Sequence, residues 1–176
     1  MRFQFMLVPA AIVAGSVAAA APAQARIYMD LAQAQQLMFP GATFEEHFVT
    51  LDQEQFNAII DDSDVNVYTR NIKAWKVSTG GWFILDQVRG KDDWISYALA
   101  IDHKGVVRRI EILECLENWD GITLPEWRAQ FYGKKHGAAF DDIGQISGAT
   151  LSSGQMTAGV KRLLSTHAIV LSEPTG

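Results

Sequence analysis

The feature that most constrains the fold is a series of short hydrophobic runs, separated by turns, between residues 65 and 115. The runs cover residues 65–67, 73–77, 82–88, 95–101 and 106–115, and the turns include Thr79-Gly80-Gly81, residues 90–93 and residues 102–105. Turns of two to five residues can join antiparallel neighbours but are too short for the crossover between parallel strands. The sequence therefore predicts an antiparallel meander.

Helical patterns lie on both sides of these strands. Asp30 precedes apolar residues at helical spacing that stop at Pro40-Gly41, and Thr50 with Gln53 has capping-box spacing for a second helix starting at Thr50. A short helix is expected over residues 125–131 and a final one from about residue 153 to 168, with a stripe formed by Met156, Val160, Leu163, Leu164 and His167. Helices at both ends of an antiparallel sheet predict an α+β domain.

The first 25 residues have the pattern of a leader. Arg2 precedes an apolar run over residues 6–21, which ends at the small-residue signal Ala23-Gln24-Ala25. We expect a secretory signal peptide cleaved after Ala25, a mature domain of residues 26–176 and a periplasmic location.

Charge and composition narrow the function classes. The net charge is −5 and no Lys/Arg cluster is present, which argues against nucleic-acid binding.

Cys115 is the single cysteine, so no intramolecular disulfide can form, and a buried thiol is expected. The four histidines lack metal-ligand spacing. The acidic run at residues 61–64 fails as an EF-hand because Val67 and Lys73 replace the required Gly and Glu, so it is read as a helix end.

One segment carries a more specific signal, Ser147-Gly148-Ala149-Thr150-Leu151-Ser152-Ser153-Gly154-Gln155. Ser152 and Gln155 have capping-box spacing, which predicts that the last helix begins at Ser152. Residues just upstream would then lie at a helix amino terminus, where backbone N–H groups and the helix dipole favour a phosphate. No P-loop lysine follows, so nucleoside triphosphates are not indicated. The residues alone leave two readings open, an anion site and a simple cap and turn.

The run Ile146-Ser147-Gly148-Ala149-Thr150-Leu151-Ser152-Ser153 resembles the flavinylation motif of the FMN-binding domain family. That family includes the covalent-FMN subunits of the Rnf complex and of the sodium-translocating NADH:quinone oxidoreductase. The resemblance is closest to small exported members, through segments such as Gly80-Gly81-Trp82-Phe83-Ile84 and residues 127–134. It implies that a flavin transferase attaches FMN to Thr150 through a phosphoester.

Four further residues are candidates to contact the flavin ring. Trp119 and Trp127 could stack on it, with core or rim packing as the alternative. Glu114 and Gln130 could hydrogen-bond its edges, with a solvated strand or helix face as the alternative. The family pattern has Asp six residues before the acceptor threonine, whereas this chain has Gly144 there and Asp142 two residues further upstream.

The resemblance implies an electron carrier more than an enzyme with its own substrate. The expected partners are a flavin transferase and a membrane redox system, with no nucleic acid. Two alternatives stay open: an exported binding or assembly module of the same fold without flavin, and an FMN-dependent reductase of a soluble substrate.

Overall fold

The computed structural model describes residues 26–115 and 121–172, and its centre is a six-stranded antiparallel sheet in the order β1-β6-β5-β4-β3-β2. The strands are β1 (Arg26–Ile27), β2 (Phe44–Thr50), β3 (Asn71–Val77), β4 (Trp82–Arg89), β5 (Trp94–Ile101) and β6 (Val107–Cys115). Each strand from β3 to β6 pairs with its predecessor along the chain, so the predicted meander is confirmed over residues 71–115. Residues 65–67, predicted as its first run, form no strand.

Helices precede and follow the meander, which confirms the α+β class. They are α1 (Leu31–Met38), α2 (Gln53–Ser63), α3 (Pro125–Arg128) and α4 (Thr150–Thr166). A 3-10 turn at Ala129–Phe131 extends α3, and a π-helical segment, His167–Leu171, continues α4. The predicted signal peptide, residues 1–25, lies outside the described residues.

The sheet buries both faces, because successive side chains of a strand point to opposite sides. On one face Tyr97 and Leu99 of β5 share a core cluster with Met156 and Val160 of α4. The opposite face forms a second cluster with α1, whose members are Ala34, Met38, Ala42, Trp75, Val77, Phe83, Ala98, Ala100 and Leu113. Cys115 is fully buried in the first cluster, as predicted.

Helix α4 lies very close to the sheet at Gly159. A Cβ atom there would come within 2.6 Å of the Tyr97 hydroxyl and 2.7 Å of Val88 Cγ1. Three residues away, the Arg162 guanidinium contacts Asp86 at 2.5 Å, and the same Asp86 oxygen accepts from the Tyr97 hydroxyl at 2.7 Å. Burial, with Asp86 adding to it, raises the pKa of Tyr97 well above its usual range, so this hydroxyl stays a neutral donor. These contacts fix the position of α4 along β4.

The structure corrects the prediction at two points, the start of α2 and strand β2. Thr50 does not cap α2: it is the last residue of β2, and Asp52 forms the capping box with Gln55. Strand β2 itself was not predicted, because most of its side chains are exposed and show no buried alternation, as is common in edge strands. Helix α1 agrees with the prediction, including its Asp30 cap.

Candidate functional site

The start of α4 differs from the prediction in a way that affects the site. Ala149 is the N-cap residue and Thr150 is the first helical residue; the first helical bond runs from Ser153 N–H to Ala149 O at 2.9 Å. The predicted capping role of Ser152 with Gln155 is therefore wrong. Ser152 lies inside the first turn and is fully buried, so its hydroxyl cannot take the cap position. Thr150 is part of the helix end rather than upstream of it.

A tight turn precedes Thr150. Ala149 N–H donates to Ile146 O at 3.0 Å, and Gly148 has φ +85°, which residues with a side chain rarely adopt. Ser147 and Gly148 are exposed, whereas Ala149 is buried. The positive φ of Gly148 thus allows the turn directly before α4, and the surface beside the first helical turn stays exposed.

The two serines after Thr150 hold this turn against its surroundings. The Ser153 hydroxyl accepts from Ile146 N–H at 3.3 Å and donates to Thr150 O at 3.1 Å. The Ser152 hydroxyl accepts from the backbone N–H of Lys91, in the β4–β5 turn, at 3.4 Å. Ser152 therefore links the motif to the β4–β5 turn, and Ser153 holds the motif internally. Since both serines are buried, neither hydroxyl is open to a ligand.

Thr150 is exposed at the surface of this scaffold. Its hydroxyl makes one long hydrogen bond, 3.4 Å, to Ile146 O, and the neighbouring Leu151 side chain is 61% exposed. The N–H groups of Thr150 and Leu151 precede the first helical bond, and no side chain caps the helix. A 17-residue helix therefore presents an accessible hydroxyl beside free donors and the positive end of its dipole. This geometry fits a phosphate bonded to the hydroxyl.

Trp127 and Gln130 lie close to the motif, but their polar groups contact the protein backbone. Trp127 is 5% exposed and its Nε1–H donates to Gly144 O at 2.6 Å. Gln130 Oε1 accepts from Gly144 N–H at 2.7 Å. The two side chains thus bond the carbonyl and the N–H of Gly144, six residues before Thr150, and this pair of hydrogen bonds is called the Gly144 clasp. Trp127 also packs in the core beside Phe131. The contact of Trp127 and Gln130 with the flavin ring stays a prediction.

Of the other two predicted ring contacts, only Glu114 belongs to the described residues, near the end of β6. Glu114 is half-buried and pairs with Ser96 of β5 and Ile27 of β1. Trp119 lies outside the described residues. A role for either residue in binding the ring stays a prediction.

Asp142, the nearest acid upstream of the motif, is engaged by a lysine. Lys134 Nζ lies 2.5 and 2.6 Å from its two carboxylate oxygens and also donates to Ala139 O at 2.7 Å. The hydrogen bond from Lys134 holds the pKa of Asp142 below its ordinary value. Asp142 is thus an ionised, exposed carboxylate whose first partner is Lys134.

A charged group that sequence reasoning missed anchors α3 to the sheet. Glu111 of β6 is 4% exposed and accepts from Arg109 Nε at 2.6 Å and from Arg128 of α3. Arg128 also donates to Ile110 O at 2.7 Å. Arg109 and Glu111 have strand spacing, but Arg128 is 17 positions from Glu111, so no local pattern connects it to them. They hold α3, and with it Trp127, against the sheet.

Within residues 26–115 and 121–172, no group of three or more His, Cys, Asp or Glu side chains is placed to hold a metal ion. In the same part of the chain, no helix has both the length and the apolarity needed to cross a membrane.

Comparison with known proteins bears on the same region. The family model described as the FMN-binding domain matches residues 90–165, from the β4–β5 turn to the last turn of α4. All the candidate site residues fall within this match. No curated protein matches the chain significantly. The match places residues 90–165 in the FMN-binding domain family, so the chain is a flavin-binding protein with FMN as its cofactor.

Proposed function

We propose that this protein is an exported electron carrier whose FMN is attached by a phosphoester to Thr150. The observation that carries the proposal is the exposed Thr150 hydroxyl on the first residue of α4, directly after the turn at Gly148. The Ser-Gly-Ala-Thr order and the family match over the same residues support it.

Attachment requires a flavin transferase, with FAD as the donor. The Thr150 oxygen forms a bond to the phosphorus of the FMN half of FAD, and the bond between the two phosphates breaks. AMP leaves, and the hydroxyl proton is released. The weak bond from Thr150 to Ile146 O costs little to give up, because it is long and exposed.

The protein's part is to hold the phosphate end in place. The N–H groups of Thr150 and Leu151 can donate to phosphate oxygens, and the buried Ser152 and Ser153 keep the turn in one conformation. The FMN supplies the electron-transfer chemistry, and the protein tunes and positions it. A covalent bond keeps the cofactor on the protein in a compartment without a flavin supply.

The proposal also includes export to the periplasm and a redox partner in the membrane. The leader pattern over residues 1–25 supports export to the periplasm. A carrier there would exchange electrons with a membrane redox system. Expression with the leader intact, followed by mass analysis of the periplasmic fraction, should find a chain that starts at Arg26. A chain retained in the cytoplasm with residue 1 intact would contradict export.

The attachment site has a direct test. Co-expression with a flavin transferase should give a yellow protein, in-gel flavin fluorescence and a mass gain equal to FMN minus one water. Thr150→Val should abolish the mass gain and the fluorescence. Thr157→Val is the matched control, because Thr157 lies two turns along α4 with its hydroxyl bonded to Ser153 O, and it should leave the modification intact. An unmodified wild-type protein would overturn the proposal.

A further inference from the structure

A second concave surface lies on the face of the sheet opposite α4. It is a groove of about 390 Å³ formed by the start of β3, the end of β4, the start of β5 and the loop before β3. Lys73 of β3 lines it and pairs across the strands with Leu85, which packs against the cluster that contains α1. Its volume lies within the range of small-molecule sites, roughly 300–1,000 Å³. Because the groove is on the face of the sheet opposite α4, it is separate from the surface around Thr150.

Two aromatic side chains border the groove and are largely exposed. Tyr68 is 56% exposed and Trp94 is 39% exposed. The guanidinium of Arg89, the last residue of β4, lies 5.8 Å from the Trp94 ring. Exposed aromatic rings beside a cavity are typical of sites that take flat apolar groups.

The strands add hydrogen-bonding groups between these rings. Gln87 Nε2 donates to the Ser96 hydroxyl at 2.8 Å, and this leaves the Gln87 carbonyl and the Ser96 proton without a partner among the described residues. Asn71 Oδ1 accepts from Thr50, so its amide N–H groups also stay available. The groove can thus bond a polar group on an otherwise apolar ligand.

The charge of the groove is positive in a chain whose net charge is −5. Lys73 lies between Phe48 and Leu85 on the neighbouring strands, and no carboxylate of residues 26–115 or 121–172 forms an ion pair with it. Asp86 also borders the groove, but its carboxylate is engaged by Arg162 and Tyr97. Lys73 is thus a cation with no ion-pair partner in the part of the chain that the structure describes.

We propose that this groove binds a planar aromatic molecule that carries a carboxylate. The flat rings lie against Trp94 and Tyr68, and the carboxylate bonds to Lys73. The proposal is independent of flavin attachment, because the groove and Thr150 lie on different surfaces. They are nevertheless at the same end of the sheet, since Trp94 begins β5 directly after the β4–β5 turn, and that turn contacts Ser152 through Lys91.

The test uses 2-naphthoate and its neutral analogue 2-naphthamide as probes. Titration into the isotope-labelled protein, made without flavin transferase, should shift the backbone amide signals of Lys73, Gln87 and Ser96 saturably with naphthoate. Lys73→Met should weaken naphthoate binding about tenfold, as expected for the loss of a charge-assisted hydrogen bond, and leave naphthamide binding unchanged. Lys104→Met is the matched control, an exposed lysine in the β5–β6 turn at the other end of the sheet, and it should bind like wild type.

A second variant tests the aromatic wall. Trp94→Leu should weaken both probes, because it removes the ring and keeps the charge. Equal affinity for the two probes in the wild type would overturn the proposal. So would shifts that centre on Thr150 and Leu151, or shifts that fail to saturate. Repeating the titration with Thr150→Val should give the same result, so failure here and failure of flavin attachment are distinguishable.

Discussion

Gly144 is the residue at which this chain departs from the flavinylation pattern, and the structure shows what occupies the space. Both of its polar backbone atoms are bonded, to Trp127 and to Gln130. A Cβ atom at this position would lie 3.3 Å from Gln130 Oε1, which is tighter than normal packing. The glycine therefore leaves room for the Gln130 side chain to bond its backbone N–H.

The Gly144 clasp predicts a specific effect of Trp127→Phe. The phenyl ring keeps the edge contact with Phe131, but the N–H bond to Gly144 O is lost. We expect a loss of about 1 kcal/mol in the free energy of unfolding, the usual net worth of one hydrogen bond, and a slower rate of flavin attachment at Thr150. Urea denaturation and a mass-spectrometric time course would measure the two effects.

Trp75→Phe is the control for that experiment. Trp75 is also buried, but it packs in the cluster on the opposite face of the sheet. It should lower stability without a specific effect on the attachment rate. Equal attachment rates in Trp127→Phe and wild type would show that the Gly144 clasp does not position the acceptor.

At the residue scale, the sequence singled out Thr150, which the structure exposes at the start of α4, but misassigned the role of its neighbours. Ser152 and Gln155 have the spacing of a capping box, yet Ser152 is buried and its hydroxyl accepts from Lys91. Spacing alone cannot show that a hydroxyl has a tertiary partner 61 residues away. The same limit applies to Trp127, whose bond to Gly144 depends on how α3 packs.

At the scale of elements, the docking of α4 on the sheet depends on the absence of a side chain at Gly159. Gly159→Ala would place a methyl group 2.6 Å from the Tyr97 hydroxyl and 2.7 Å from Val88. We expect it to destabilise the fold by about 1–3 kcal/mol, the usual cost of overpacking. Gly154→Ala, in the same helix with no atom within 4 Å of the new methyl, should stabilise it by about 0.5–1 kcal/mol. Chemical denaturation of both variants would measure the difference, and equal effects would contradict this packing.

The sequence predicted the elements best where burial follows a regular period. Strands β3 to β6 and the stripe of α4 were located because their apolar residues alternate or repeat at helical spacing. Strand β2 was missed because it lies at the sheet edge and exposes Glu45, Glu46 and His47. Without that strand, Thr50 was the nearest residue able to cap α2, and the true cap, Asp52, was overlooked.

At the scale of the whole molecule, two titrating groups, Asp62 and His167, both lower the free energy of unfolding as the pH falls. Asp62 accepts from Ser165 and lies 2.7 Å from His136 Nε2, and these bonds hold its pKa below the ordinary value. Its contribution to stability is therefore present at neutral pH and is lost only in strong acid, as the pH falls through that lowered pKa. His167 affects stability at higher pH than Asp62, so the two effects can be measured in separate pH ranges.

His167 should make the protein less stable as the pH falls from about 7 to 5, below the ordinary histidine pKa. Burial first, and repulsion from His136 second, lower its pKa, while Asp102 opposes the shift. The unfolded chain therefore binds a proton more readily than the folded one in this range, which favours unfolding as the pH falls. His167→Gln should reduce the slope of unfolding free energy against pH, and His103→Gln, at an exposed position in the β5–β6 turn, is the matched control. Urea denaturation at several pH values would measure both slopes. An unchanged slope in His167→Gln would show that another group couples the fold to pH.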